Sequence, residues 1–324
     1  MPDLDPPAPA RRVLVLVLPE VNLLDLAGPM QVFHTAAALG APYRLACLAA
    51  ERQVTSAQGL PLAGLAPLGP AGAGDLILIP GLDLTPYAAG LRALPPEVPA
   101  WLNQAYDNGA QLAAICTGAF ALGEAGLLDG RRCTTHWSAV AALRERYPAA
   151  SVQDNVLYVH AGRITTSAGV ATGIDMALAL VEQDAGPALA ARVARELVVY
   201  MRRDSSQPQQ SIYVQYRSHL HPGVHRAQEF MAANPSGPPG LAEIAAAAGM
   251  SVRSLTRAFR EATGLSPLAY QQLLRLEVAA NLLRDRGLSI EEVAHRIGFA
   301  DARHFRRLWS RRFGAPPSAA RGPQ

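Results

Sequence analysis

The chain contains no lysine; all 29 of its basic residues are arginine. That excludes chemistry that needs a flexible amine and leaves planar, permanently charged groups suited to bidentate pairing with phosphates and base edges. Cysteine is almost as scarce. Cys47, Cys116 and Cys133 form no C-x-x-C pair and show no metal-ligand spacing, so they read as reduced thiols, with no metal or cofactor expected. No apolar run approaches the ~18 residues of a membrane span. The opening stretch, residues 1–10, is acidic and proline-rich and lacks the basic region of a secretion signal. It reads as a disordered tail on a cytoplasmic protein without membrane contact.

What is present is ample apolar material and a divided charge. Half of the 324 residues are apolar, enough for two cores. Residues 1–216 carry 14 arginines against 18 acidic residues, whereas residues 217–324 carry 15 against 8. A basic segment joined to a mildly acidic one places a nucleic-acid footprint on one part only.

From Val13 to about Val199, short apolar runs alternate with helix-like stretches. Val13–Leu18, Leu45–Ala49, Leu76–Ile79, Gln111–Ile115 and Val156–His160 read as strands. Asp25–Ala38, Pro96–Asn108, Ser138–Tyr147, Ile174–Gln183 and Gly186–Arg203 read as helices. This alternation predicts an α/β domain over residues 11–203, a mainly parallel sheet sandwiched by helices. The polar, proline-broken stretch after Arg203 predicts a linker over 204–222. An all-α domain is expected over 223–321.

That last third says nearly the same thing twice. Glu243-Ile244-Ala245-x-x-x-Gly249 recurs as Glu292-Val293-Ala294-x-x-x-Gly298, an offset of 49. Arg257-x-Phe259 recurs as Arg307-x-Trp309, and Gly264-x-x-Pro267 as Gly314-x-x-Pro317, both at an offset of 50. Each copy reads as a helix-turn-helix unit, and one residue inserted after the glycine accounts for the change in offset. Ser251 and Asp301 are the expected N-caps of the two second helices, 252–262 and 302–313. In the first, Val252, Leu255 and Phe259 form the expected buried stripe; in the second, Phe305, Trp309 and Phe313 do. A helix from Pro267 through Arg284, with Leu268, Leu273, Leu276, Leu282 and Leu283 apolar, is expected to join the units rigidly. Outside the stripes lie Arg253, Ser254, Arg257 and Arg260 in the first unit and Arg303, His304, Arg306, Arg307 and Arg311 in the second. These are the candidate DNA-contacting residues, with Arg311 and Arg312 assigned to phosphates.

Two such units, joined by a helix and each followed by Gly-x-x-Pro, resemble the AraC/XylS-type transcriptional regulators. The family's closing motif stands here as Gly298-Phe299-x-Asp301-x-x-x-Phe305-x-Arg307. The resemblance covers about Val224 to Arg321. It implies seven helices and two reading helices in successive major grooves of double-stranded DNA. Pro316, Ala320 and Arg303 depart from the usual family residues; the last bears on base preference.

In the first domain, Ala113-Ala114-Ile115-Cys116-Thr117-Gly118 runs from a strand into a helix with a cysteine at the junction. Either a sharp turn there exposes the side chain above the sheet edge, where the helix N-terminus is expected to lower the thiol pKa, or Cys116 is a small buried hydrophobe, the commonest fate of a free cysteine. Gly81, after a neighbouring strand, and Thr117 can supply amides for an oxyanion hole. Asp25 adds a carboxylate at the same edge, and His136 in Thr134-Thr135-His136-Trp137 is a further candidate. Asp25-Leu-x-Gly-Pro, the Cys116 elbow, Glu124–Gly130 and Thr135-His136-Trp137 together look like the PfpI/ThiJ-like domain of GlxA-type regulators, in the class I glutamine amidotransferase-like superfamily. The resemblance spans about Val13 to Arg203. It implies a flavodoxin-like fold and a sensing and dimerising role, with Ser167-Ala168-Gly169-x-x-x-Gly173-x-Asp175 shaping the pocket wall.

Two functions follow. In the first, the chain is a sequence-specific DNA-binding transcriptional regulator and not an enzyme. A small effector occupies a pocket of Asp25, Gly81, Cys116, Thr117 and His136, and a homodimer and contact with RNA polymerase are the expected assemblies. In the second, the chain resembles isonitrile hydratases, with Cys116 as nucleophile, Asp25 positioning or protonating, and a DNA-binding domain attached.

Overall fold

The computed structural model describes residues 10–88, 94–199, 203, 205, 209, 211–235, 237–283 and 287–321. The chain divides into two compact units, one ending at Gln209 and the other beginning at Gln210. The expected tail falls almost wholly outside the described residues, as do Arg284 and parts of the expected linker.

The first unit opens with β1 (Arg11–Leu16), α1 (Leu23–Ala38), β2 (Tyr43–Leu48), a small hairpin of β3 (Gln53–Thr55) and β4 (Pro61–Ala63), and β5 (Leu76–Ile79). It continues through α2 (Thr85–Ala88), α3 (Glu97–Asp107), β6 (Gln111–Ile115), a 3₁₀ turn at Cys116–Gly118 and α4 (Ala119–Glu124). It closes with β7 (Arg132–Cys133), α5 (Val140–Arg146), β8 (Ser151–Val152), β9 (Tyr158–Ala161), β10 (Ile164–Ser167), α6 (Ala171–Ala185) and α7 (Pro187–Glu196).

The main sheet has six strands in the order β2-β1-β5-β6-β10-β9, parallel throughout except for β9. Its apolar runs are continuous because both faces are covered. Val13 and Val15 of β1 enter one core while Leu14 and Leu16 enter the other. Leu76 and Leu78 of β5 likewise separate from Ile77 and Ile79. Because β1, β5, β6 and β10 are adjacent and parallel, the loops that leave them converge on one edge. Strand order reverses between β1 and β5, and such a switch point leaves a crevice at the carboxyl ends of the strands.

Three details differ from the sequence reading. β10 pairs antiparallel with β9 through a turn at Gly162, a strand hidden by its threonines. The last helix stops at Glu196 rather than Arg203. Arg203 instead donates from Nε and Nη2 to Asp175 Oδ2, at 2.9 and 2.7 Å. The stretch expected to link the domains is also engaged. Leu157 N–H donates to the Ser205 carbonyl at 3.0 Å, and Gln209 Nε2 donates to the carbonyls of Thr135 and Val156, both at 3.1 Å.

The second unit is helical: α8 (Ile212–Gln215), α9 (Pro222–Ala233), α10 (Leu241–Ala247), α11 (Val252–Thr263), α12 (Pro267–Leu282), α13 (Ile290–Arg296), α14 (Ala302–Phe313) and a closing 3₁₀ turn at Pro317–Arg321. It has two cores. Ile244, Leu255 and Phe259 pack with Tyr270 and Leu274 of α12, while Val293, Phe305 and Trp309 pack with Leu276 and Ala279 of the same helix. Ile212, read as linker, is buried in the first of these cores. Val252 and Leu268, expected inside, are 41% and 44% exposed. Each sits in the first turn of its helix, beyond the partner that covers the rest of the stripe.

Candidate functional site

At the switch-point edge, the structure brings Asp25, Gly81, Cys116, Thr117 and His136 together. Cys116 follows β6 directly, with φ +55°, a strained conformation for a side chain with a β-carbon. Thr135 Oγ1 donates to its carbonyl at 2.8 Å. Thr117 is tied across the crevice, its Oγ1 donating to the Leu82 carbonyl at 2.6 Å and accepting from the Leu82 amide at 2.8 Å. Gly81 forms the back wall rather than the lining: a β-carbon there would stand 2.5 Å from Asp25 Oδ2 and 2.7 Å from Cys116 Cβ. Gly169, after β10, presses equally closely on Cys116.

Asp25, in the first turn of α1, is only 2% exposed. Its Oδ1 accepts the Val170 amide at 2.5 Å, and the Cys116 thiol donates to the same carboxylate. Val170 is the residue missed by sequence reading. It has φ +51° and ψ −123° and turns its amide into the site just ahead of α6. A β-branched side chain gives no hint of such a backbone; the preceding Ser-Ala-Gly run was the available signal.

Burial raises the Asp25 pKa above the ordinary carboxylate range, against the lowering effects of the Val170 amide, the thiol and the nearby His136. Burial also pushes the Cys116 thiol up to about 12, reinforced by the Asp25 charge and opposed by the Thr117 amide and hydroxyl. The expectation of a lowered thiol pKa is therefore reversed. The turn after Cys116 is a short 3₁₀ segment, too weak to outweigh burial beside a carboxylate. His136 is half-buried, and burial lowers its pKa despite Asp25. Its Nδ1 lies 2.7 Å from Ser138 Oγ.

Above these groups lies a cavity of about 620 Å³, lined by Asp25, Cys116, Thr117, His136, Val170 and Asp83, with apolar walls from Leu24, Leu82 and Leu84. Among the described residues, no arginine lines it. Among the described residues, no group of three or more His, Cys, Asp or Glu is placed to hold a metal ion.

In the second unit the repeated sequence is a repeated structure. Glu243 and Glu292 accept the amides of Gly240 and Ser289, at 2.7 and 2.6 Å, and so cap α10 and α13. Gly249 and Gly298 make the turns at φ +68° and +77°. Ser251 and Asp301 cap α11 and α14, accepting from Ser254 N and Arg303 N. Arg253, Arg257 and Arg260 are exposed on α11, with Ser254 half-buried; Arg303, Arg307 and Arg311 are exposed on α14. His304 rests edge-on against Phe299. Arg306 pairs with Glu291 of α13, and Arg312 is half-buried near Glu277. Sequence periodicity also missed Arg275. This buried residue of α12 donates Nε to the Ile297 carbonyl at 2.6 Å and stacks 3.7 Å from the Phe299 ring centre, bracing the second turn.

Comparison with known proteins gives both units relatives. Residues 11–183 match the DJ-1/PfpI family and residues 244–322 a helix-turn-helix domain. The HTH-type transcriptional regulator GbdR of Pseudomonas aeruginosa is 32% identical over 314 residues, covering 95% of this chain and 83% of that one. An isonitrile hydratase of Pseudomonas putida is 33% identical over 180 residues, covering 55% of this chain and 73% of the enzyme. A crystal structure of a ThiJ/PfpI family protein from Pseudomonas syringae covers 66% of this chain and 87% of its own, with 26% identity and a TM-score of 0.51.

Proposed function

Because the chain belongs to the DJ-1/PfpI family and joins that domain to an AraC-type helix-turn-helix domain, we propose that it is a DNA-binding transcriptional regulator controlled by a small metabolite held above Cys116. The observation that carries the DNA-binding part is the pair of capped helices, α11 and α14, each presenting exposed arginines opposite a buried stripe. The expected contacts are Arg253, Ser254, Arg257 and Arg260 from the first head. From the second they are Arg303, His304, Arg307 and Arg311, with Arg306 available once it leaves Glu291.

Effector control draws support from how the end of the first unit is anchored. Gln209 is bonded to the Thr135 carbonyl, next to His136 of the cavity, and Thr135 holds the Cys116 carbonyl. Arg203 is bonded to Asp175 in α6, the helix that begins beside the Val170 amide. A ligand that shifts His136 or Val170 therefore acts on the chain just before Gln210. The protein works in this reading as a cytoplasmic homodimer that meets RNA polymerase at its promoter. Among the described residues, no helix is long and apolar enough to cross a membrane.

The hydratase reading has the same cysteine and carboxylate in its favour. A thiol that stays protonated near neutral pH, beside a carboxyl that burial also disfavours as an anion, is poorly prepared for nucleophilic attack. The regulator reading is preferred chiefly because the relatives matched over most of the chain are HTH-type transcriptional regulators.

The test is DNA selection from a random pool, with the full chain and with residues 1–209 alone. The full chain is expected to enrich specific sites whose affinity falls steeply with salt, as phosphate contacts release counterions. Equal enrichment by residues 1–209 would refute the assignment.

A further inference from the structure

The cavity above Cys116 does not end at its own walls. A second cavity of about 590 Å³ adjoins it, and Leu82, Leu84 and Ala142 line both. The same helices build the two in succession. Thr117 ahead of α4 faces the first, and Phe120, Ala121 and Glu124 face the second. Ser138 and Ala139 ahead of α5 face the first, and Glu145, Arg146 and Tyr147 face the second. One to two helical turns, roughly 5–11 Å, thus separate the groups that face each chamber.

The chambers differ in chemistry. The first offers the carboxylates of Asp25 and Asp83 and, among the described residues, no arginine. The second has an aromatic floor, with Phe120 and Tyr147 packed edge to face at 6.0 Å and Tyr87 beside them. Its polar end is partly satisfied internally, with Glu145 exposed beside it. Arg146 pairs with Glu124, and Tyr147 Oη donates to the Phe120 carbonyl at 3.2 Å. Among the described residues, that leaves apolar surface to offer a ligand and no unpaired arginine lining the chamber.

Resting on the effector reading above, we infer that the effector is an amine with an apolar tail, its nitrogen held beside Asp25 and Asp83 and its alkyl or aryl group lodged against Phe120 and Tyr147. A head group without the tail fills only the first chamber. A carboxylate head meets the like charge of Asp83 there, beside an Asp25 carboxyl that a cationic partner, and not an anionic one, would help to ionise.

The experiment is calorimetric titration of the full chain with the n-alkylamines from methylamine to hexylamine, with benzylamine, and with n-alkyl carboxylates of matched length. The expected result is a Kd that tightens about fourfold per added methylene, the fold-change equivalent to about 0.8 kcal/mol per buried CH₂, until the second chamber is full. Matched carboxylates bind at least about tenfold more weakly. Ala88→Trp, at an exposed position on the second chamber, flattens the dependence on chain length. Asp25→Asn instead weakens every amine by a common factor and keeps the dependence. A series flat in the unmodified chain, carboxylates bound as tightly as amines, or no binding by any amine overturns the inference. A flat series in which short amines still bind leaves effector control intact. Failure of effector control itself would appear separately, as DNA affinity that no ligand of the first chamber alters.

Discussion

At the scale of single residues, the first unit turns on a buried acid beside a buried thiol. Two groups that both resist ionisation share one hydrogen bond, and the strained backbones of Cys116 and Val170 hold them in place. Asp25 has its folded pKa raised above the ordinary value of 3.8. Its stabilising contribution is therefore complete below that value and is lost as pH rises through the folded pKa. Asp25→Asn is accordingly expected to raise the melting temperature at pH 7 and to leave it little changed at pH 3. The same substitution removes a charge that holds the thiol pKa up. Site-resolved mass spectrometry of iodoacetamide labelling should show Cys116 reacting slowly at pH 8 in the parent chain. In Asp25→Asn it should react about tenfold faster for each unit by which the thiol pKa falls. Equal labelling rates would mean that the carboxylate does not control the thiol.

At the scale of elements, the two helix-turn-helix units share a plan and differ in charge. Leu255 and Phe259 are answered by Phe305 and Trp309, and the Glu243 cap by Glu292. The second unit adds an ion pair without counterpart in the first. Arg306 is bound to Glu291, whereas Thr256, fifty residues earlier, hydrogen-bonds its own helix at the Val252 carbonyl. Exposed ion pairs contribute little to stability, roughly 0–1 kcal/mol, so this one matters more for where the guanidinium points. Glu291→Ala should leave the melting temperature almost unchanged while releasing Arg306 to the phosphates. The slope of log affinity against log salt, measured by fluorescence anisotropy, should then steepen by about one. An unchanged slope would show that Arg306 reaches the phosphates even when Glu291 is present.

Much of this was legible in the sequence, for reasons that differ by element. The runs Leu76–Ile79 and Gln111–Ile115 announced their strands to the residue because both faces are buried. The glycine, serine and aspartate positions of the repeat announced its turns and caps because each demands a particular backbone. The cluster of Asp25, Gly81, Cys116, Thr117 and His136 was drawn from local motifs, and adjacent parallel strands explain why those motifs meet. What stayed hidden depended on tertiary contact. Threonine-rich β10 has no apolar run, the Val170 amide has no side-chain signature, and Arg275 looks like any helix-surface arginine until Phe299 covers it. The thiol pKa was misjudged because a helix-end argument ignores burial.

At the scale of the whole molecule, an α/β unit of the DJ-1/PfpI family is joined to a helix-turn-helix unit whose two heads are unequal. The first offers Arg253, Arg257 and Arg260; the second offers Arg303, His304 and Arg307. Helix α12 contributes to both cores, so the heads are held by one rigid element rather than by a flexible tether. A single chain should then read two different half-sites about one helical turn, ~10 base pairs, apart. Any palindrome in a natural site would come from pairing of two chains. The most direct test is to sequence the DNA enriched by the full chain from a random pool. The account predicts an asymmetric site of two unlike half-sites at that fixed spacing, in which Arg303→Ala alters preference in one half only. Recovery of a single short motif without fixed spacing, or of two identical halves that change together, would contradict it.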